Sequence, residues 1–308
     1  MKTRTKLGLI AAAAGMLTAA FTAVTAQAAP YADGFYTTND GVKMHYLEAG
    51  AGQPLVLIPG WSQSALEWKF QIDEFSKTYH VYALDMRGHG KSEKPDHGYR
   101  IARFAADLND FFTAAKLDGV YIDGHSMGCS VIWSYLELYG SARIKKLVLT
   151  DQMPAIVGNP NWTEQQNKDF GPILKADQVV PLLNALAGPD GEKTSIAFLH
   201  SMFAKDYPQA DFDWALAENM QLPRKYSADL LYDHAFKDWT DIIRAIKLPT
   251  LAIGAKASNV PWASMVWIGS AVKGARTEIF EENEGGHHFM FLENPKKYNA
   301  IVLDFLAH

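Results

Sequence analysis

The run Val120-Tyr121-Ile122 leads directly into Gly124-His125-Ser126-Met127-Gly128, and a helical pattern follows at once. A G-x-S-x-G block between a strand and a helix demands a very sharp turn. The residue at its apex needs small neighbours two positions away on each side, and glycine supplies them without a Cβ clash. Such a turn lifts a serine hydroxyl clear of a sheet and aims the start of the next helix at whatever binds there. The spacing therefore predicts a strand–turn–helix unit with Ser126 at its tip.

The surrounding pattern extends that unit into an α/β layer. Short β-rich runs fall at Lys43 to Leu47, Leu55 to Ile58, Val81 to Leu84, Val120 to Asp123, Lys146 to Thr150, Thr250 to Ile253 and Thr277 to Phe280. Helical patterns lie between them, around Trp68 to Lys77, Ile101 to Ala115, Met127 to Leu138 and Pro295 to Leu306. Strands alternating with amphipathic helices predict a mostly parallel sheet flanked by helices. Asn294 before Pro295 suits a helix start, with a capping side chain and a proline at the first helical position. The alternation breaks from Asp151 to about Leu248, a helical stretch rich in aromatics and methionine, including Phe198, Met202, Phe203 and Trp239. An insert of that length is a subdomain rather than a loop. Residues 29–151 and 246–308 are thus expected to form the core, with 152–245 as a helical cap.

The first 28 residues read as a processing signal. Lys2, Arg4 and Lys6 make a basic start, Leu7 to Val24 is apolar or small, and Ala26-Gln27-Ala28 fits a cleavage site. Export to the periplasm or medium is expected, with the mature chain beginning near Ala29 and no stable membrane association afterwards. Loss of this leader removes three basic and no acidic residues, taking the net charge from −5 to −8. An acidic chain without a basic cluster is a poor partner for nucleic acid. The single cysteine, Cys129, allows no internal disulfide and reads as a buried packing residue.

Three further blocks carry chemistry. Leu55 to Ile58 runs into Pro59-Gly60-Trp61-Ser62, where glycine permits close backbone approach to a ligand. Acyl transfer needs two N–H donors aimed at a developing oxyanion, and the backbones of Trp61 and Met127 are the candidates. Asp85-Met86-Arg87-Gly88-His89-Gly90-Lys91-Ser92 suits a tight hydrogen-bonded loop, so His89 is read as architectural. Near the C-terminus, Glu284-Gly285-Gly286-His287-His288 presents two histidines after the serine. A serine hydroxyl becomes nucleophilic at neutral pH only beside a base, and imidazole has the matched pKa. The ten histidines show no metal-ligand spacing such as H-E-x-x-H, and no metal or organic cofactor is expected.

Together, "PGWS", "DMRGHGKS", "GHSMG" and "GGHHFMFLENP" resemble the α/β-hydrolase superfamily along essentially the whole mature chain, and in particular its esterase and cofactor-free chloroperoxidase-like branch with a helical cap. The resemblance implies a sheet of about eight strands with the cap inserted after the sixth, Ser126 as nucleophile, and an oxyanion hole from the Trp61 and Met127 backbones. It selects His288 over His287 as the base, because relatives place that residue five positions before the glutamate of the "LENP"-like segment. The usual acid position is missing. Ala255-Lys256-Ala257-Ser258-Asn259 holds no carboxylate, but some members carry the acid after the preceding core strand, where Asp151 stands. Glu282 and Glu284 lie on the approach to the histidine loop and reach back awkwardly. Pro59 replaces a histidine common in relatives, which leaves backbone donation intact. Serine at the elbow argues against dehalogenase and epoxide-hydrolase chemistry, which use aspartate there. The implied activity is hydrolysis of a small apolar carboxylic ester or lactone through an acyl-enzyme. The rivals are interception of that intermediate by peroxide, and a non-catalytic ligand-binding protein that kept the fold.

Overall fold

The computed structural model describes residues 31–308, so the leader expected over residues 1–28 lies outside the described residues. Eight strands form one sheet: β1 (Ala32–Thr37), β2 (Lys43–Gly50), β3 (Pro54–Ile58), β4 (His80–Leu84), β5 (Val120–His125), β6 (Ile144–Thr150), β7 (Thr250–Ala255) and β8 (Arg276–Phe280). Their order is β1-β2-β4-β3-β5-β6-β7-β8. β2 pairs antiparallel with both β1 and β4, and every pairing from β4 to β8 is parallel.

Strand side chains alternate between two apolar layers, as the period of two requires. On β3, Val56 and Ile58 face one layer while Leu55 and Leu57 face the other, and all four are fully buried. The first layer is completed by α2 (Ile101–Ala114) and α3 (Met127–Tyr139), through side chains such as Phe104, Phe111, Ile132 and Trp133. The second is completed by α1 (Lys69–Phe75) and α12 (Pro295–Ala307), through Ile72, Phe75, Tyr298 and Val302. Burial on both faces explains why the central strands read as continuous apolar runs.

Three strand or α-helical elements escaped the sequence pattern, the shortest being the single turn α11 (Met290–Glu293). β1 is an edge strand with mostly exposed side chains, so it lacks an apolar signature. α10 (Trp262–Ala271) is apolar nearly all round and shows no helical stripe, yet Met265 and Ile268 bury it against the first layer. Between β6 and β7 lie six helices: α4 (Glu164–Phe170), α5 (Ala176–Ala187), α6 (Gly191–His200), α7 (Gln209–Asn219), α8 (Arg224–Ala235) and α9 (Thr240–Ala245). They connect the carboxyl end of β6 to the amino end of its parallel neighbour β7. Among the described residues, no helix is long and apolar enough to cross a membrane.

Candidate active site

Ser126 follows β5 with φ 50° and ψ −121°, a backbone conformation that side chains other than glycine rarely adopt. The flanking glycines make it possible. A Cβ on Gly124 would come within 2.7 Å of the Gly128 carbonyl carbon, and one on Gly128 within 2.5 Å of the Ile58 carbonyl oxygen. The Ser126 N–H donates to the Thr150 carbonyl at 2.8 Å, which anchors the elbow to β6. Strain of this kind costs about 1–3 kcal/mol and persists only where the surroundings impose it.

Asp151 is the next residue along that neighbouring strand. It is fully buried, has φ 53°, and donates its N–H to the Ile253 carbonyl on β7 at 2.8 Å. These constraints aim its carboxylate along the sheet edge. Asp151 Oδ2 lies 2.7 Å from His288 Nδ1 and also accepts the Ser258 hydroxyl at 2.5 Å. A carboxylate oxygen accepts, so Nδ1–H is the donor in this contact and Nε2 is the ring nitrogen left outside it. His288 is 3% exposed, and its N–H donates to the Met202 carbonyl at 3.2 Å.

Ser126 and His288 line the same cavity but form no hydrogen bond with each other. The serine hydroxyl is turned instead toward Gln152 Oε1 at 3.5 Å. Gln152 is fixed by its own amide N–H, which donates to the Met153 carbonyl at 3.0 Å.

His287 is held apart from this arrangement. Its Nδ1 lies 2.9 Å from Glu293 Oε2, and Glu293 Oε1 accepts the Ala204 N–H at 2.8 Å. Glu284 pairs with Lys297 and not with His288. His89 supports the loop after β3, since its Nε2 accepts the Ser62 N–H at 3.1 Å while Nδ1 donates to the Arg87 carbonyl at 2.9 Å. Burial pushes that imidazole down to about 4, so it stays neutral near pH 7. Cys129 is buried with its sulfur 2.9 Å from the Gly124 carbonyl. In the loop after β3 the Gly60 N–H donates to Glu67 Oε1 at 3.0 Å.

The cavity has a volume of about 330 Å³. Ile156, Phe198, Met202 and Leu231 line it together with Ser126 and His288. The Trp61 ring closes one wall, donating its indole N–H to the Ser227 carbonyl on α8 at 2.9 Å. Most of the remaining insert aromatics pack elsewhere: Phe203 stacks on Phe289 at 4.4 Å, and Trp239 sits 6.3 Å from Trp133.

These contacts put a strained serine, a buried histidine and a buried aspartate on three loops at the carboxyl edge of one sheet. Residues 53–295 match the alpha/beta hydrolase fold family. The chain belongs to that family. Among relatives of this α/β hydrolase, a 2-hydroxy-6-oxo-6-(2'-aminophenyl)hexa-2,4-dienoic acid hydrolase from Metapseudomonas resinovorans is 31% identical over 280 residues, covering 87% of this chain and 88% of its own. A non-heme haloperoxidase from Rhodococcus erythropolis is 28% identical over 285 residues, covering 88% and 98% respectively. The solved esterase from Exiguobacterium antarcticum superposes with a TM-score of 0.81 at 24% identity, covering 89% of this chain and 99% of that one.

Sequence reasoning did not single out Ser258 or Gln152 in the site, or Glu67 bonded to Gly60 beside it. Ser258 stands in the loop where relatives usually carry the acid, and that position was the available signal. Glu67 gave a fainter one, a carboxylate directly before Trp68 in an otherwise apolar turn. Among the described residues, no cluster of three or more His, Cys, Asp or Glu side chains is arranged to hold a metal ion.

Proposed function

We propose that this α/β hydrolase is a serine hydrolase that cleaves small apolar carboxylic esters or lactones through an acyl-enzyme on Ser126. The observation that carries the reading is the 2.7 Å contact between Asp151 Oδ2 and His288 Nδ1, on a histidine that shares its cavity with the strained serine. In this reading His288 Nε2 takes the Ser126 proton as the hydroxyl attacks the substrate carbonyl, then returns it to the leaving alcohol. The same nitrogen afterwards activates the water that frees the acid, while Asp151 holds the tautomer and stabilises the imidazolium. The N–H groups of Trp61 and Met127 stabilise the tetrahedral oxyanion. Contacts between nucleophile and base commonly tighten once substrate docks, which is consistent with the open Ser126–His288 pair.

The insert acts as a cap in this reading, and its apolar wall favours acyl groups longer than acetyl. Each further methylene is worth at most about 0.8 kcal/mol, so three or four carbons improve kcat/KM on the order of tenfold to a hundredfold if fully sequestered. A series of p-nitrophenyl esters from acetate to hexanoate tests this, and a flat or falling series contradicts it. The haloperoxidase name of one relative supports a second reading, peroxide attack on the same acyl-enzyme. Peroxide-dependent bromination measured beside ester hydrolysis separates the two. Residues 1–28 are proposed to direct export. Intact mass of the exported protein should begin near Ala29, and a species retaining Met1 to Ala28 contradicts that.

A further inference from the structure

A second buried acid–imidazole pair lies outside the arrangement just described, with His125 in the cavity lining and Glu67 outside it. Glu67 and His125 are 1% and 0% exposed. Glu67 belongs to the short 3-10 turn Ala65–Trp68, and His125 ends β5 immediately before Ser126. Glu67 Oε1 accepts the Gly60 N–H at 3.0 Å and lies 3.3 Å from His125 Nδ1. The other ring nitrogen, Nε2, lies 3.1 Å from the backbone carbonyl of His288.

The partners fix where the hydrogens sit. A carbonyl only accepts, so His125 Nε2 must donate to it. Burial pushes the Glu67 carboxyl well above its ordinary range and the His125 imidazole well below its own, which favours the neutral form of each. A neutral imidazole with hydrogen on Nε2 offers a lone pair at Nδ1. The Glu67 hydroxyl therefore donates to Nδ1 while its oxygen accepts from Gly60. One connected path then runs from the backbone of Gly60, through Glu67 and His125, to the backbone of His288.

Each end of that path touches a working part. Gly60 precedes Trp61, His125 precedes Ser126, and the last acceptor is the carbonyl of His288 itself. We propose that Glu67 and His125 are positioning residues that hold the oxyanion loop, the serine elbow and the histidine loop at their working separations. The proposal rests on the serine-hydrolase reading. Packing alone does not explain the pair. His125 lies among Trp68, Phe289 and Phe291, with ring centroids at 6.3, 5.0 and 4.7 Å, and 4.5 Å from the His288 ring; an apolar side chain there would avoid the cost of burying two polar groups.

The test uses Glu67→Gln and Glu67→Leu in the mature protein, with kcat and KM for p-nitrophenyl butyrate and the labelling rate of Ser126 by a fluorophosphonate. Glutamine keeps the volume but cannot both accept from Gly60 and donate to His125 through one atom. Leucine keeps neither bond. Glu67 does not line the cavity, so KM should stay within about twofold while kcat and labelling fall together. Misplacement of reacting groups by about 1 Å costs up to about 10²-fold, and the expected losses are at least about fivefold for glutamine and more for leucine. Folding is checked by circular dichroism, and if leucine fails to fold the glutamine variant decides alone. A folded glutamine variant losing less than about fivefold in kcat, or a loss expressed wholly in KM, overturns the pair's role. An active parent with indifferent variants sinks this inference alone, whereas a parent that neither turns over esters nor labels at Ser126 sinks the hydrolase reading with it.

Discussion

Along the carboxyl edge of the sheet, Ser126 and Asp151 each stand one residue past a strand end, and Gly60 stands two past β3. Phe198, Met202 and Leu231, which line the same cavity, sit in or beside helices of the insert, far in sequence from any strand. The edge is locked. The elbow helix α3 buries nine of its thirteen residues, and backbone hydrogen bonds tie Ser126 to β6 and Asp151 to β7. The insert is held more lightly, and α5 buries only Val179 and Leu186 of its twelve residues. Preorganised chemistry needs a scaffold that cannot shift by 1 Å, whereas a specificity wall tolerates replacement one side chain at a time. On this account the edge sets rate and the insert sets preference.

The largest effect should come from the edge. Asp151→Asn is expected to fold normally and to lose roughly 10²- to 10⁴-fold in kcat, because the imidazole loses its tautomer control and its countercharge. Steady-state kinetics on a p-nitrophenyl ester checks this. A near-parent kcat would move the acid elsewhere and remove the edge's claim to the chemistry.

A change on the insert side should act differently. Phe198→Ala removes part of the apolar wall, so the advantage of hexanoate over acetate should shrink by about tenfold in kcat/KM while acetate turnover changes little. An equal loss on both esters would mean that the insert also positions the reacting groups.

The smallest effect concerns how the edge is held together. Asp123 is fully buried on β5, accepts hydroxyls from Tyr298 at 2.9 Å and Thr150 at 3.2 Å, and is pushed up to about 8 chiefly by burial. Its ordinary value is 3.8, so between about pH 4 and 8 the folded chain holds a proton that the unfolded chain has released. The folded state binds more protons there, and this group's contribution to stability falls as pH rises through that window. Asp123→Asn should flatten that part of the dependence. Urea unfolding midpoints at pH 5 and pH 7.5 check it, and parallel shifts in parent and variant contradict it.

The edge was also the legible part of the sequence. Strand and helix periods gave seven of the eight strands, and the glycine spacing around Ser126 marked the elbow because few other residues fit that backbone. Asp151 was legible through its position after β6, and His288 through its distance from the "LENP" segment. The exposed edge strand β1 and the uniformly apolar α10 were not, since neither has an amphipathic face. The insert showed its helices and its aromatics, but which aromatics face the cavity depends on packing between distant segments. Phe198 and Met202 line it, whereas Phe203 and Trp239 carry the same composition signal and pack away. Glu67 and His125 lie 58 positions apart, and nothing local announces their pairing.

The central claim is that Ser126 is the nucleophile. The most direct measurement is intact mass and peptide mapping of the mature protein after reaction with a fluorophosphonate, with Ser126→Ala alongside and ester hydrolysis followed in both. One adduct per chain on the peptide containing Ser126, no adduct on the alanine variant, and a loss of activity of about 10⁴- to 10⁶-fold are expected. An unlabelled parent, an adduct on another residue, or an alanine variant that keeps a tenth of the parent's activity would contradict it.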